Sequence, residues 1–328
     1  LVERSEGRGL RQQRMNWWAA LALLRCISSS PAAAVNALRT RLQGASSDAA
    51  DTTSLEEFEA QARDRVLDGT DDALSSDDIE PAAQTEDGQH LQELMDSAAA
   101  LAGQANDPKL AKLQQHIALL LDESFQPVIF CRYIATAHYL AAALQVKFKS
   151  AAVKAVTGEL TPDEREAAVA QLGESGARVL VATDCLSEGI NLQNLFTAVV
   201  HYDLSWNPTR HEQREGRVDR FGQKAREVRS TMLYGEDNPV DGAVLQVILR
   251  KAESIRKELG VLVPMPDDDS RLTQALMNAV MLRKGKAASH QAELDLWGEP
   301  AREIELAWQS AKEKAKQNRS IFAQRRLK

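Results

Sequence analysis

An eleven-residue stretch, QREGRVDRFGQ at residues 213–223, concentrates the charged side chains best suited to chemistry. Guanidinium groups make bidentate contacts with phosphate and neutralise charge that develops on a transferring phosphoryl group. Gln213, Arg217 and Arg220 are spaced i, i+4 and i+7, which predicts that they share one face of a helix. Gly216 lies between them, and because a mid-helix glycine costs about 1 kcal/mol relative to alanine, we expect something to approach the backbone there.

The same helix also permits a purely structural interpretation. Asn207 and Pro208 predict its N-cap and first position, and Arg210 and Arg214 lie along an adjacent line. Arginine and glutamate that alternate on a helix commonly form a solvated face of i,i+4 pairs, each contributing about 0.3–0.5 kcal/mol. Taken alone, the helix favours this interpretation.

A second polar segment, TDCLSEGINLQ at residues 183–193, favours the phosphate-binding interpretation over the solvated face. It follows a predicted strand, and ligands of an open parallel sheet bind beyond the carboxyl ends of its strands. Both segments are therefore expected at one edge of the sheet, where they present guanidinium, amide and carboxylate groups to a common place. Asp184 and Glu188 are interpreted as partners that orient the arginines, and Trp206 as a packing anchor.

The elements that must position these residues form an alternating pattern between residues 123 and 235. Five apolar, β-branched runs predict strands at residues 127–131, 152–157, 178–183, 198–202 and 230–234. Strands buried on both faces and separated by helices predict an α/β fold with a parallel sheet and helices on both faces. Within this domain, Thr161 and Glu164 predict a capping box.

The segments on either side, residues 1–122 and 236–328, are predicted to be mainly helical. The predicted helices cover residues 17–27, a segment starting at Ser30-Pro31, residues 110–122 and residues 241–259. The net charge of the 328 residues is −7, but residues 44–96 carry −14, which leaves +7 for the remainder. A basic remainder is compatible with a polyanionic partner. The acidic stretch is predicted to be a solvated insertion, with a nucleic-acid mimic as the alternative.

Cysteines and apolar runs indicate the compartment. The three cysteines are widely separated and have no CxxC spacing, which indicates reduced thiols in a cytoplasm and no metal site. The most apolar run, residues 17–27, is far shorter than the roughly twenty residues that span a bilayer. We therefore expect a cytoplasmic protein with no membrane partner.

Three segments, in order, resemble motifs of superfamily 2 helicases. Residues 128–140 are similar to motif IV, residues 179–193 to motif V and residues 213–223 to motif VI. The string YDLSWNPTRHEQREGRVDRFGQ resembles the Snf2-like branch that includes the bacterial RNA polymerase recycling ATPase. Residues 16–34 resemble helicase-related proteins of bacterial defence islands, such as the helicase subunit of the DISARM anti-phage system. The resemblance implies the second RecA-like lobe of a DNA-dependent ATPase.

The resemblance also implies roles for single residues at an ATP site between two lobes. Arg220 would be the arginine finger on the γ-phosphate, Arg217 a second phosphate contact and Gln213 a nearby polar sensor. Three residues would approach the nucleotide: Gly189, Asn191 and Gly216.

Two residues at strand ends are implied as contacts of the nucleic-acid backbone, Thr183 and Arg132. Each has a structural alternative, because Thr183 also suits a cap of the following turn and Arg132 an ordinary surface charge. Asn191 likewise suits a residue that holds its turn together. The residues alone leave these alternatives open.

Half of an ATP site is absent from the sequence. It contains no G-x-x-x-x-G-K-[ST] phosphate loop and no D-E-x-H or D-E-A-D run that would hold Mg²⁺. ATP with Mg²⁺ is therefore expected to be bound mainly by a first RecA-like lobe, in the same chain or in another.

The leading hypothesis is the C-terminal motor half of an ATP-dependent Snf2-like DNA helicase or translocase. Its expected partners are duplex DNA, the first lobe and other defence-system subunits. The alternative is a non-catalytic lobe that acts as a nucleic-acid or protein-binding scaffold. A Rossmann-type transferase is disfavoured, because Cys131-Arg132-Tyr133 follows the first strand where a glycine-rich turn is needed. The sequence does not distinguish translocation along a duplex from strand separation, or a DNA substrate from an RNA substrate.

Overall fold

The computed structural model describes residues 22–44, 88–187, 190–205 and 208–235, together with residue 20. Its helices are α1 (residues 22–29), α2 (Pro31–Gly44), α3 (Gly88–Ala100), α4 (Pro108–Asp122), α5 (Ile134–Lys147), α6 (Pro162–Gly173) and α7 (Pro208–Val218). Its strands are β1 (Pro127–Phe130), β2 (Ala152–Val156), β3 (Arg178–Ala182), β4 (Ala198–His201) and β5 (Arg229–Met232). The predicted C-terminal helical segment, residues 236–328, lies outside the described residues. None of the described helices is long and apolar enough to cross a lipid bilayer.

The strands form one five-stranded parallel sheet in the order β2-β3-β1-β4-β5. In the middle of the sheet, Val128 of β1 pairs with Leu180 of β3 on one side and with Val199 of β4 on the other. All five predicted strands are present, and the predicted α/β fold, RecA-like with helices on both faces, is confirmed. Because the strands run the same way, the segments that follow β1, β3 and β4 meet at one edge.

Alternation along the strands divides the core into two layers. Ile129 faces a layer formed with α4 and α5, whereas Val128 and Phe130 face a layer formed with α6 and α7. All three side chains are wholly buried. β1 and β4 are buried along their whole length because both faces of the sheet are covered there.

Helices that precede the sheet contribute to this packing. Ile117 of α4 is wholly buried against the strands. α2 and α3 pack against each other, and a Cβ added to Gly88 would lie 3.8 Å from the Leu42 side chain. Residues 88–96, which belong to the acidic stretch, are part of α3, where Leu91 is buried. The bounds of the predicted insertion and the three-part division of the chain both stay predictions.

Side-chain caps determine where several helices begin. The Thr161 hydroxyl accepts a hydrogen bond from the Glu164 amide, and the Glu164 carboxylate accepts one from the Thr161 amide at 2.8 Å, which is the predicted capping box. Ser30 Oγ accepts from the Ala33 amide at 3.1 Å, and the Asp107 carboxylate caps α4 in the same way. These contacts satisfy N–H groups that have no partner within their helix.

We expect Ile117→Ala to lower the free energy of unfolding by about 2–5 kcal/mol, because it empties a wholly buried site between α4 and the sheet. Leu119 on the same helix is 59% exposed. Leu119→Ala should therefore change the free energy of unfolding by less than about 0.5 kcal/mol. Urea unfolding of both variants measures the difference, and equal losses would contradict the packing of α4.

Candidate functional site

The motif that contains the arginines is divided between a helix and a turn. α7 ends at Val218, so Gln213 and Arg217 lie on the helix, one turn apart. Arg220 lies beyond it, in an exposed turn. The prediction that all three residues share one helical face is therefore wrong for Arg220.

Two residues that were not predicted from the sequence, Gly222 and Gln223, stabilise the turn after α7. Gly222 has a φ of 97°, a left-handed conformation that favours glycine. The Gln223 side chain donates hydrogen bonds to the carbonyl of Val218 at 2.9 Å and to the carbonyl of Phe196 at 3.2 Å. The Gln223 side chain thus satisfies a carbonyl at the C-terminus of α7, and Gly222 supports the turn that follows Arg220.

Arg214 lies on the buried side of α7, with 2% of its side chain exposed. Its Nε donates to Asp184 Oδ1 at 2.6 Å and its Nη2 to Oδ2 at 2.8 Å, which makes a bidentate pair. Its Nη1 donates to the main-chain carbonyl of Asp203 at 3.0 Å. Arg210 lies 3.6 Å from the same Asp184 carboxylate. The predicted pairing of Asp184 with arginines is confirmed for Arg210 and Arg214, and the solvated-face interpretation is wrong for both of these arginines.

Opposed effects determine the charge of this buried pair. Burial raises the pKa of the Asp184 carboxyl, but the charge and hydrogen bonds of Arg214, with Arg210 nearby, outweigh burial and bring the pKa down to about 2. Burial also lowers the pKa of the Arg214 guanidinium, and Asp184 more than restores it. Both groups are therefore charged at neutral pH, and the pair joins α7 to the loop after β3.

A second contact between the same segments lies at the surface. Arg220 Nη1 donates to Asn191 Oδ1 at 2.7 Å. Arg217 and Gln213 are partly exposed and, among the described residues, form no hydrogen bond or ion pair. A Cβ added to Gly216 would meet nothing within 4 Å, so packing among the described residues does not require a glycine there. We call the surface formed by these five residues the arginine face.

The predicted nucleic-acid contacts lie at the ends of β3 and β1. Thr183 is 6% exposed, and its hydroxyl donates to Cys185 Sγ at 3.3 Å. The Arg132 guanidinium lies 5.8 Å from the centre of the Tyr133 ring. Burial lowers the pKa of Arg132 to about 10, which leaves it charged at neutral pH. Contact of either residue with nucleic acid stays a prediction.

Some residues singled out in the sequence lie outside the described part of the chain: Glu188, Gly189, Trp206 and Asn207. Their predicted roles stay predictions.

Asp203 is a buried residue that the sequence analysis missed. Its carboxylate accepts hydrogen bonds from the Ser29 hydroxyl at 2.8 Å, the Lys109 ammonium at 2.9 Å and the Arg132 amide at 2.9 Å. Burial raises the pKa of this carboxyl, but Lys109 and these hydrogen bonds hold it below its ordinary value. Its position two residues after β4, at the edge where ligands of such sheets bind, is the signal that points to it.

The arginine face combines one exposed and one partly exposed guanidinium group, two amide side chains and an open stretch of helix backbone at Gly216. Guanidinium and amide groups are chemically suited to phosphate oxygens, and contact with a nucleotide stays a prediction. No three His, Cys, Asp or Glu side chains cluster as a metal site within the described ranges.

Comparison with known proteins connects this geometry to a family of domains. Residues 108–222 match the helicase conserved C-terminal domain. ATP-dependent RNA helicase FAL1 of Mycosarcoma maydis is 34% identical over 99 residues, which cover 30% of this chain and 24% of that protein. The uncharacterized ATP-dependent helicase YqhH of Bacillus subtilis is 38% identical over 87 residues, which cover 26% of this chain and 15% of that protein. The chain thus spans about a quarter or less of the length of these relatives.

A solved structure extends over a larger part of the chain. The C-terminal part of the Fun30 ATPase domain is 15% identical with a TM-score of 0.41, and the match covers 83% of this chain and 93% of that one. The match to the helicase conserved C-terminal domain, residues 108–222, contains every site residue predicted from the sequence.

Proposed function

We propose that this chain is the C-terminal motor half of an ATP-dependent Snf2-like DNA helicase or translocase. It would supply the arginine finger and part of the DNA-binding surface. The match of residues 108–222 to the helicase conserved C-terminal domain supports an ATP-dependent helicase. The Snf2-like part of the proposal rests on the string at residues 202–223. Because the curated relatives include a protein named as an RNA helicase, the test below compares DNA with RNA.

The observation that carries the proposal is a contrast between two pairs of arginines in one short segment. Arg210 and Arg214 are buried beside Asp184 and hold α7 against the loop after β3. Arg217 is partly exposed on the same helix, and Arg220 is exposed in the turn that follows the helix. Charged groups anchored by a rigid, buried support are preorganised for charge that develops on a partner.

ATP, held with Mg²⁺ mainly by the first lobe, would supply the phosphoryl group. On this chain, Arg220 stabilises the negative charge that develops on that group. The Asn191 amide, 2.7 Å from Arg220 Nη1, holds the guanidinium in place before the reaction. Arg217 contacts a phosphate and Gln213 acts as a polar sensor one turn earlier. The open backbone at Gly216 lets phosphate approach the helix.

The DNA-binding part of the proposal concerns the ends of β1 and β3. Arg132 carries a positive charge at the first end, and Thr183 lies at the second. Phosphate contacts of this kind position a duplex without reading its sequence. The resemblance of residues 16–34 adds a cytoplasmic bacterial defence system, with further subunits, as the setting of the motor.

By itself, the 328-residue chain is expected to hydrolyse no ATP, because its sequence has neither a phosphate loop nor a Mg²⁺-binding carboxylate run. Release of inorganic phosphate with and without duplex DNA measures this. Addition of the first lobe, in one chain or as a tight complex, should restore turnover. If DNA stimulates phosphate release by this chain alone, the prediction that it carries only half of an ATP site is wrong.

In the complete two-lobed protein, Arg220→Ala should lower turnover by about 10³-fold or more, because a finger acts on charge in the transition state. DNA affinity and the melting temperature should stay near wild type, since Arg220 is exposed. Arg220→Lys should recover little turnover, because an ammonium group cannot reproduce the guanidinium fork. ATPase assays at saturating DNA, and separately at saturating RNA, give the turnover.

Arg226→Ala is the matched control, because Arg226 is also exposed in the segment after α7. Its turnover should stay within a few-fold of wild type. The same result for Arg220→Ala would reject the finger and make Arg217 the next candidate. Weaker DNA binding with a salt slope lower by about one unit, and no selective loss of turnover, would favour the scaffold alternative. If RNA stimulates ATP turnover and DNA does not, the proposed nucleic-acid partner is RNA rather than DNA.

Arg214→Ala is expected to lower stability as well as activity. Removal of one partner from a buried ion pair costs about 3–5 kcal/mol, because the other charge stays buried without its partner. The low pKa of Asp184, about 2 against an ordinary 3.8, contributes stability that is present above the ordinary value and is lost as the pH falls through about 2. Asp184→Asn should therefore weaken this acid dependence.

Unfolding curves of Arg214→Ala at neutral pH, and of Asp184→Asn across the acid range, measure these effects. The control is Arg217→Ala, which removes an arginine from the same helix without breaking a contact among the described residues. A melting temperature for Arg214→Ala that equals the control value would show that the pair does not hold α7 in place.

A further inference from the structure

Lys109 lies where the N-terminal helices meet the carboxyl edge of the sheet. Its ammonium donates to Asp203 Oδ1 at 2.9 Å, to the carbonyl of Ser28 at 3.1 Å and to the carbonyl of Ser29 at 3.4 Å. The same ammonium lies 4.1 Å from the centre of the Tyr202 ring. One cation on α4 therefore joins the end of α1 to the end of β4.

Asp203 continues this connection towards the site. Its Oδ2 accepts from Ser29 Oγ at 2.8 Å and from the Arg132 amide at 2.9 Å. Its main-chain carbonyl accepts from Arg214 Nη1 at 3.0 Å. A single residue thus contacts the helix junction at Ser29, the end of β1 and the buried arginine of α7.

We propose that Asp203 is a positioning residue whose contact with Lys109 determines the placement of α7 and of the arginine face for phosphoryl transfer. The kinetic part of this inference rests on the proposed function, whereas the contact itself does not. Lys109 fixes the Asp203 carboxylate, and the carboxylate fixes the main chain at residue 203. The carbonyl at that residue then holds Arg214. Neither Lys109 nor Asp203 belongs to the arginine face, so both act through α7.

Loss of the Lys109 charge would leave a carboxylate that is 8% exposed without its cation. Such a group either turns towards water or takes up a proton, and both responses disturb the backbone that supports Arg214. Displacement of a catalytic group by about 1 Å can lower a rate by about 10²-fold. We therefore expect the loss to appear in kcat rather than in the binding of ATP.

The experiment compares Lys109→Met with Lys112→Met in the complete two-lobed protein. Methionine keeps the apolar stem and removes the charge, and Lys112 is an exposed residue of the same helix. For Lys109→Met we expect kcat to fall by about 10-fold or more, while the KM for ATP and the DNA affinity stay within about two-fold. Amide hydrogen exchange over residues 208–218 should become faster. Lys112→Met should match wild type in every measurement.

A double variant tests whether the unpaired carboxylate is the cause. An amide at residue 203 still accepts from Ser29 and Arg132 but needs no cation. Lys109→Met combined with Asp203→Asn should therefore regain kcat by about three-fold or more relative to Lys109→Met alone. Should Lys109→Met fail to fold, Ser29→Ala, which removes one hydrogen bond from the same carboxylate, takes its place with an expected fall in kcat of about three-fold.

Equal kcat and equal exchange in Lys109→Met and Lys112→Met would overturn the proposal. A fall of kcat without faster exchange at residues 208–218, or with no recovery in the double variant, would overturn it as well. If the complete protein hydrolyses no ATP with any nucleic acid, the proposed function fails. In that case amide exchange in Lys109→Met alone tests whether the Lys109–Asp203 contact positions α7. Faster exchange at residues 208–218 would support this positioning, and unchanged exchange would contradict it.

Discussion

The bidentate contact between Arg214 and Asp184 is the interaction on which the rest of the site depends. A buried charge that lost its partner would be strongly destabilising, so the two segments that carry these residues have one favourable arrangement. The pair itself adds little net stability, because both charges lose their hydration. Its effect is geometrical: it holds α7 so that Arg217 and Arg220 remain available at the surface.

The parallel sheet supplies the second constraint. Because its strands end at one edge, residues far apart in the chain approach each other there, as Lys109 and Asp203 do across 94 positions. α7, the loop after β3 and the junction of α1 with α2 all lie at this edge. Helices outside the usual α/β alternation are thereby placed in contact with the residues that support the arginine face.

Local patterns were sufficient to predict most of the fold. β1, β3 and β4 are apolar runs rich in β-branched residues, and the capping box at Thr161 depends on two side chains three positions apart. The burial of Arg214 could not be predicted in this way, because its sequence neighbours also fit a solvated helix. The turn after α7, which contains Arg220, has a left-handed backbone at Gly222 and a side-chain contact from Gln223 to the last carbonyl of the helix. Such contacts are specified by the folded chain rather than by periodicity.

Packing between α2 and α3 places Leu42 beside Gly88, so the two ends of the intervening segment are neighbours. The placement of these two helices therefore depends on their contact with each other rather than on the length of chain that joins them. Because α2 also packs against α5 of the sheet domain, this contact carries the position of α3 over to the sheet.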